Sequence, residues 1–224
     1  MADLSVQRQN MVESQVRPSD VTDRRIPRAM TEIPREAFVS GSRKGLAYLD
    51  IELPVESPGQ GTTSGRVLLA PRTLAKLLQL AAVEPGDIVL DVGCATGYSS
   101  AILARLAQTV VALECDTGLA QEATRVLQSL GVDNVAVVQG PLNAGYPGEG
   151  PFDVIVVEGG VSGVPEALLG QLKDGGRLVA ILTDGRSGRA VVWRRTGETI
   201  SERDGFDAAA PVLPGFEPVR RFVF

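Results

Sequence analysis

Asp91, Gly93, Gly97 and Glu114 are the residues whose types and spacing best suit chemistry. Asp91 lies in the apolar run Val89-Leu90-Asp91-Val92, and the turn Gly93-Cys94-Ala95-Thr96-Gly97 follows it. Tyr98-Ser99-Ser100-Ala101-Ile102-Leu103 then reads as a helix, and Thr109-Val110-Val111-Ala112-Leu113 as a second apolar run tipped by Glu114. Strand, tight turn, helix and acid-tipped strand make up a nucleotide-binding α/β unit. Glycines let the backbone approach a ligand closely, and the helix behind them offers unpaired N–H groups. Glu114 stands about twenty residues beyond Gly93, where an acid meets ribose hydroxyls. A carboxylate can accept hydrogen bonds from both.

The dinucleotide fingerprint asks for glycines at its first, third and sixth places. Counting from Gly93, Ala95 and Tyr98 stand at the last two, so a nicotinamide oxidoreductase ranks last among the readings. The spacing fits better the acid-x-Gly-x-Gly-x-Gly turn of S-adenosylmethionine-dependent methyltransferases, with Ala95 the one departure. On that reading Asp91, Gly93, Cys94, Ala95, Gly97 and Glu114 line a cofactor site. The plainer alternative is a tight strand-to-helix turn in some other α/β protein.

Composition narrows the chemistry further. The 224 residues suffice for one sizeable α/β domain. A net charge of −5 without a long basic run disfavours nucleic acid and anionic membranes as partners. The start is polar and no apolar stretch is long enough to span a bilayer, so neither a membrane span nor a secretory signal is expected. Cys94 and Cys115 sit inside core motifs, which suits reduced thiols in a cytoplasmic protein. Histidine is absent. Ser-His-Asp and Cys-His nucleophile systems are thereby excluded, and no metal site is expected. Chemistry must come from carboxylates, arginines, lysines, hydroxyls or a bound cofactor.

The elements that position these residues follow from periodicity. Residues 5–16 read as a helix stopped by Pro18, and 20–32 as a second helix that Pro27 could split. Residues 45–66 read as loop with a short strand at Leu49–Leu53. Pro71 opens a helix with Leu74, Leu77, Leu78 and Ala81 on one face. Strands are expected at 88–92, 109–113, 134–139, 153–158 and 177–182, and helices at 98–107, 117–130 and 164–172, with Gly131 as a C′ residue. That alternation predicts a mostly parallel, helix-covered sheet. Ala190–Arg194, Glu198–Glu202 and Val219–Phe224 read as strands, suiting an antiparallel hairpin at the sheet edge. One domain spanning 1–224 is expected, with 1–45 as an N-terminal helical extension.

Ordered along the chain are Met11-Val12-Glu13-Ser14-Gln15-Val16-Arg17-Pro18, Ile33-Pro34-Arg35-Glu36-Ala37-Phe38-Val39, Pro85-Gly86-Asp87, the turn 91–97, Pro151-Phe152-Asp153-Val154-Ile155 and Pro165-Glu166-Ala167-Leu168-Leu169. In these motifs the chain resembles the protein-L-isoaspartate O-methyltransferase family over roughly residues 10–185. The resemblance implies an α/β class I methyltransferase fold: a Rossmann-like, mostly parallel seven-stranded sheet with helices on both faces. It implies S-adenosyl-L-methionine as cofactor and methylation of isoaspartyl carboxylates in damaged proteins, a repair step. A carboxylate is already ionised at neutral pH, so a chain without histidine can serve it without a general base.

Three departures bear on the acceptor. Leu69 stands where the family carries an active-site serine, with Thr62, Thr63 and Ser64 a few residues upstream. Gly140-Pro141 replaces the acid-Gly pair expected to meet the adenine amine, leaving a backbone carbonyl for that role. Glu158 ends a central strand where a small or hydroxyl residue is usual. Facing the ligand crevice it would repel a substrate carboxylate and favour the cofactor's cationic groups; the alternative is that it points to solvent beside the loop. Arg66 and Arg72 flank the altered segment; either could neutralise an anionic substrate, the alternative being solvated charges on a loop and a helix start. No catalytic residue is assigned. A different acceptor, whether a small molecule or another protein side chain, and a non-catalytic cofactor-binding module remain the alternatives.

Overall fold

A computed structural model describes residues 3–57, 61–184 and 187–218, with 61–64 as backbone only. Val219–Phe224 and the side chains of Thr62, Thr63 and Ser64 lie outside the described residues. The chain opens with α1 (Leu4–Met11), capped by the Asp3 carboxylate on the Ser5 N–H, and runs on through a π-helical turn at Val12–Val16. α2 (Arg25–Glu32) contains Pro27 in its first turn, where a missing N–H has no intrahelical partner to lose. The proline therefore does not split the helix.

Residues read as loop form a hairpin, β1 (Leu53–Ser57) and β2 (Gly61–Leu68). Leu53, Val55 and Ser57 alternate inward while Pro54 points out, an unbroken period of two with the proline on its outward side. The expected strand at Leu49–Leu53 is thus displaced toward the hairpin tip. α3 (Pro71–Ala81) follows, with Pro71 in its first turn and Ala82 closing it in the left-handed region.

The main sheet contains β3 (Ile88–Val92), β4 (Thr109–Glu114), β5 (Val135–Gln139), β6 (Phe152–Val161), β7 (Leu172–Thr183), β8 (Gly188–Thr196) and β9 (Thr199–Asp207). Its order is β5-β4-β3-β6-β7-β8-β9, parallel from β5 to β7 and antiparallel from β7 to β9. The hairpin expected at the edge is present, and β9 faces solvent with Glu202, Arg203 and Asp204, charges that discourage edge pairing. α4 (Tyr98–Leu103), α5 (Thr117–Ser129) and the single turn α6 (Glu166–Leu169) connect the strands. Asp116 caps α5 through the Leu119 N–H, and Gly131 takes φ 66° just past its end. α6 is shorter than expected and β7 longer, because Lys173–Gly176 enters the strand as an irregularity rather than a turn before it.

Apolar side chains fill both faces of the parallel strands. On one face, Leu74, Leu77 and Leu78 of α3 and Ile102 of α4 pack with Val89, Val154 and Val179. On the other, Leu90, Ile155 and Leu178 pack with Leu213 and Phe216 from the segment after β9. Arg177 closes the bottom of the sheet, donating to the Ala81 carbonyl at 2.7 Å and pairing with Asp87 at 2.7 Å.

Candidate functional site

β3 pairs with β4 on one side and β6 on the other: the chain leaves β3 toward β4 and, after β5, crosses back to β6 on the opposite side, so the strand order reverses at β3. A crevice opens at such a switch point. The Gly93 and Cys94 N–H groups both donate to the Leu113 carbonyl, at 2.8 and 3.2 Å, tethering the turn to the end of β4. Gly93 and Gly97 take φ of 82° and 93°, open to glycine without steric cost. Ala95 takes φ 52°, at a cost of about 1 kcal/mol.

Three buried carboxyl groups converge here. Asp91 Oδ2 accepts from the Ser99 and Ser100 hydroxyls at 2.8 and 2.6 Å, while Oδ1 has no hydrogen-bond partner among the described residues. Burial pushes this carboxyl up to about 6, against the two serine bonds. Glu114 Oε1 accepts from the Cys115 and Asp116 N–H groups at 2.8 and 3.1 Å. Its Oε2 accepts from the Ala95 N–H at 2.8 Å and pairs with the Arg66 guanidinium in the interior. Glu158 sits where the β6–β7 register breaks between Val156 and Gly160. Its Oε1 is buried without a partner among the described residues. Burial, with Asp91 nearby, holds its carboxyl well above the usual range.

The sequence-predicted residues divide into groups. Asp91, Gly93, Cys94, Ala95, Gly97 and Glu114 form one continuous turn-and-strand-end surface, and Glu158 faces Gly93, Cys94 and Ala95 across a cavity of about 10 Å³. Gly140 adjoins them through its N–H on the Glu114 carbonyl at 3.1 Å, with exposed Pro141 beyond. Leu69 lines the same cavity with Leu68 and Leu74, so the place expected for a hydroxyl is apolar. The two arginines part company. Arg66 is buried and turned onto Glu114, not held out to meet an acceptor. Arg72 pairs with Asp50 at 3.1 Å on the surface, its side chain 59% exposed. Either was expected to neutralise an anionic substrate group; in this structure each guanidinium is already engaged by a carboxylate, Arg66 in the interior and Arg72 at the surface.

Sequence reasoning missed Ser99 and Ser100, whose place at the start of α4 is the signal that could have found them. It also missed Arg35, fully buried, which donates to the Ala47 carbonyl at 2.9 Å and the Leu69 carbonyl at 2.8 Å. Its guanidinium lies 4.8 Å from the Tyr98 ring centroid, joining the N-terminal motif to the helix behind the turn. Leu213 was missed as well, for no periodic pattern marks Pro211-Val212-Leu213-Pro214.

The parallel sheet with an acid–glycine turn at its switch point and an acid-tipped neighbouring strand defines a Rossmann-like methyltransferase architecture. The profile of the protein-L-isoaspartate(D-aspartate) O-methyltransferase family matches residues 6–206, and the chain belongs to that family. It is 35% identical over 192 residues to the protein-L-isoaspartate O-methyltransferase of Herpetosiphon aurantiacus, covering 86% of this chain and 83% of that one. The corresponding protein of Koribacter versatilis is 37% identical over 175 residues, covering 78% and 76%. A solved protein-L-isoaspartate O-methyltransferase shares the fold with TM-score 0.81 and 28% identity, over 93% of this chain and 66% of that one. A Plasmodium falciparum β-aspartate methyltransferase structure, in complex with S-adenosyl-L-homocysteine, is alike in fold at TM-score 0.76 and 20% identity, over 92% and 97% of the two chains.

The acceptor set fits a nucleoside-bearing sulfonium. Glu114 can accept from a ribose hydroxyl in the place Arg66 now takes, and Asp91 Oδ1 and Glu158 Oε1, without hydrogen-bond partners among the described residues, are buried beside a glycine cradle. The space above that cradle is another matter, because the chain fills it. A methyl group placed on Gly93 would lie 3.1 Å from Leu213 Cδ1 and 3.2 Å from Arg66 Nη1.

Proposed function

We propose that this chain is an S-adenosylmethionine-dependent O-methyltransferase that methylates isoaspartyl carboxylates of damaged proteins. In this reading Asp91, Gly93, Cys94, Ala95, Gly97, Glu114, Gly140, Pro141 and Glu158 surround the cofactor. The carrying observation is the family match across residues 6–206 together with the acid–glycine turn that the fold sets at its switch point. When bound, the cofactor supplies an electrophilic methyl group. An isoaspartyl carboxylate, ionised at neutral pH, asks no proton transfer of the protein, which suits a chain without histidine. Apolar Leu68, Leu69 and Leu74 would exclude water from the cavity, and exclusion of water with alignment is what such a transfer needs. Among the described residues no helix is long and apolar enough to cross a membrane, and no cluster of three metal-ligating side chains occurs. The acidic net charge supports protein or peptide partners over nucleic acid or membrane, and the two free cysteines support a cytoplasmic setting.

Leu69 favours a second reading, in which the cofactor stays and the acceptor is a small molecule or another protein side chain. A tritiated methyl-transfer assay separates the two. Labelling of an isoaspartyl peptide, but not of the same peptide with ordinary aspartate, is expected. Labelling of extract components with the isoaspartyl peptide untouched would transfer the assignment to the second reading.

A further inference from the structure

The space above the glycine turn is closed by two parts of the chain that approach from opposite sides. From β2 comes Arg66, whose guanidinium pairs with Glu114, the acid that ribose hydroxyls would otherwise engage. After β9 the chain returns as a strap across the end of β6. The Gly160 N–H donates to the Pro211 carbonyl at 2.8 Å, and the Leu213 N–H donates to the Gly160 carbonyl at 2.9 Å. Val212 and Gly160 form a parallel bridge. Further on, the Phe216 carbonyl accepts from the Ser162 N–H and hydroxyl at 3.1 and 2.7 Å. These bonds press the Leu213 side chain onto the glycines. A Cβ on Gly159 would stand 2.6 Å from Leu213 Cγ, and one on Gly93 would touch both Leu213 and Arg66.

We infer that Arg66 and Leu213 are an internal occupant of the adenosyl pocket, and that the methyl donor binds only by parting Arg66 from Glu114 and lifting the strap. This inference rests on the methyltransferase reading above. The closure is poised rather than locked. Arg66 Nε, Asp91 Oδ1 and Glu158 Oε1 are all buried without hydrogen-bond partners among the described residues. Each such atom is a cost to the closed form that a ligand carrying hydroxyl, ammonium and carboxylate groups would relieve. Arg66 Nη2 donates to Glu114 Oε2 in place of a ribose hydroxyl, and Leu213 supplies the apolar bulk. Arg66 and Leu213 therefore set the affinity for the donor without belonging to the surface that holds it.

Calorimetry with S-adenosylhomocysteine on the whole protein tests this, comparing wild type with Arg66→Gln and Leu213→Ala. Arg66→Gln retains a donor for Glu114, and each variant is expected to bind at least tenfold more tightly than wild type. Hydrogen exchange on the wild-type protein gives a readout that needs no variant. Saturating S-adenosylhomocysteine should speed exchange of the Gly160 and Leu213 amides, whose bonds hold the strap. Equal affinity in all three proteins, with those amides still protected in the complex, would overturn the inference and leave the family reading standing. Absence of heat in wild type and in both folded variants would remove both together.

Discussion

Asp91 is a buried carboxyl whose only hydrogen bonds among the described residues are from two serine hydroxyls to one oxygen. Its value of about 6 lies above the value near 4 of an unfolded chain, so the folded form binds the proton more tightly. Stability attributable to this group therefore falls as pH rises from about 4 to about 6, and stays lowered above that. Asp91→Asn should raise unfolding free energy at pH 8 by up to about 3 kcal/mol, a gain that fades as pH approaches 4. Urea titrations of both proteins at several pH values would reveal it, and a gap independent of pH would contradict the burial argument. The same substitution should weaken S-adenosylhomocysteine binding, because the charge that burdens the fold is the one a ligand ammonium would meet. Stability and function pull oppositely at this residue.

Among the elements, the strap over β6 depends on glycines with no room for a side chain. A Cβ at Gly160 would lie 2.5 Å from the Ala210 carbonyl oxygen and 3.1 Å from that of Pro211, both backbone atoms with little freedom to yield. Gly160→Ala should therefore loosen the segment 208–217 while leaving the sheet intact. Limited proteolysis is expected to cut the variant within that segment under conditions where wild type resists. Cleavage patterns that match would show that the strap is held by something other than its fit to Gly160. The hairpin β1–β2 is likewise tied to the site from its far end, where the Ser57 hydroxyl donates to Asp116 at 2.7 Å at the start of α5. Arg66 rides on that hairpin, so its reach toward Glu114 is set by an element anchored beside Glu114 itself.

For the molecule as a whole, closing the pocket with the chain's own residues means that a ligand must offset the closure before it stabilises the fold. Ligand at a hundred times its dissociation constant stabilises a native state by about 2.7 kcal/mol. In a chain of this size that is a rise of roughly 5–11 °C in melting temperature. At one fixed S-adenosylhomocysteine concentration, Leu213→Ala should show a larger thermal shift than wild type, although it melts lower without ligand because a buried leucine has been truncated. Scanning fluorimetry with and without ligand would measure both effects, and a smaller shift in the variant would count against a competing strap.

Much of this was legible in one dimension. Sustained apolar runs separated by helical periods announce a parallel sheet wherever they occur, since strands covered on both faces cannot alternate. The turn 91–97 announces its own bend, because glycine at Gly93 and Gly97 is what positive φ favours. The hairpin at 53–68 was obscured by Pro54 and by glycines that read as loop, although Leu53, Val55 and Ser57 do alternate. What no local pattern carried was which side chains meet across the pocket. Arg66 and Glu114 are 48 residues apart, and Leu213 reaches Gly93 only because β8 and β9 double back along the sheet edge. Residue type and spacing determined the cradle, since backbone preference is local. Tertiary folding alone decided what fills it, since burial gathers groups without regard to their order along the chain.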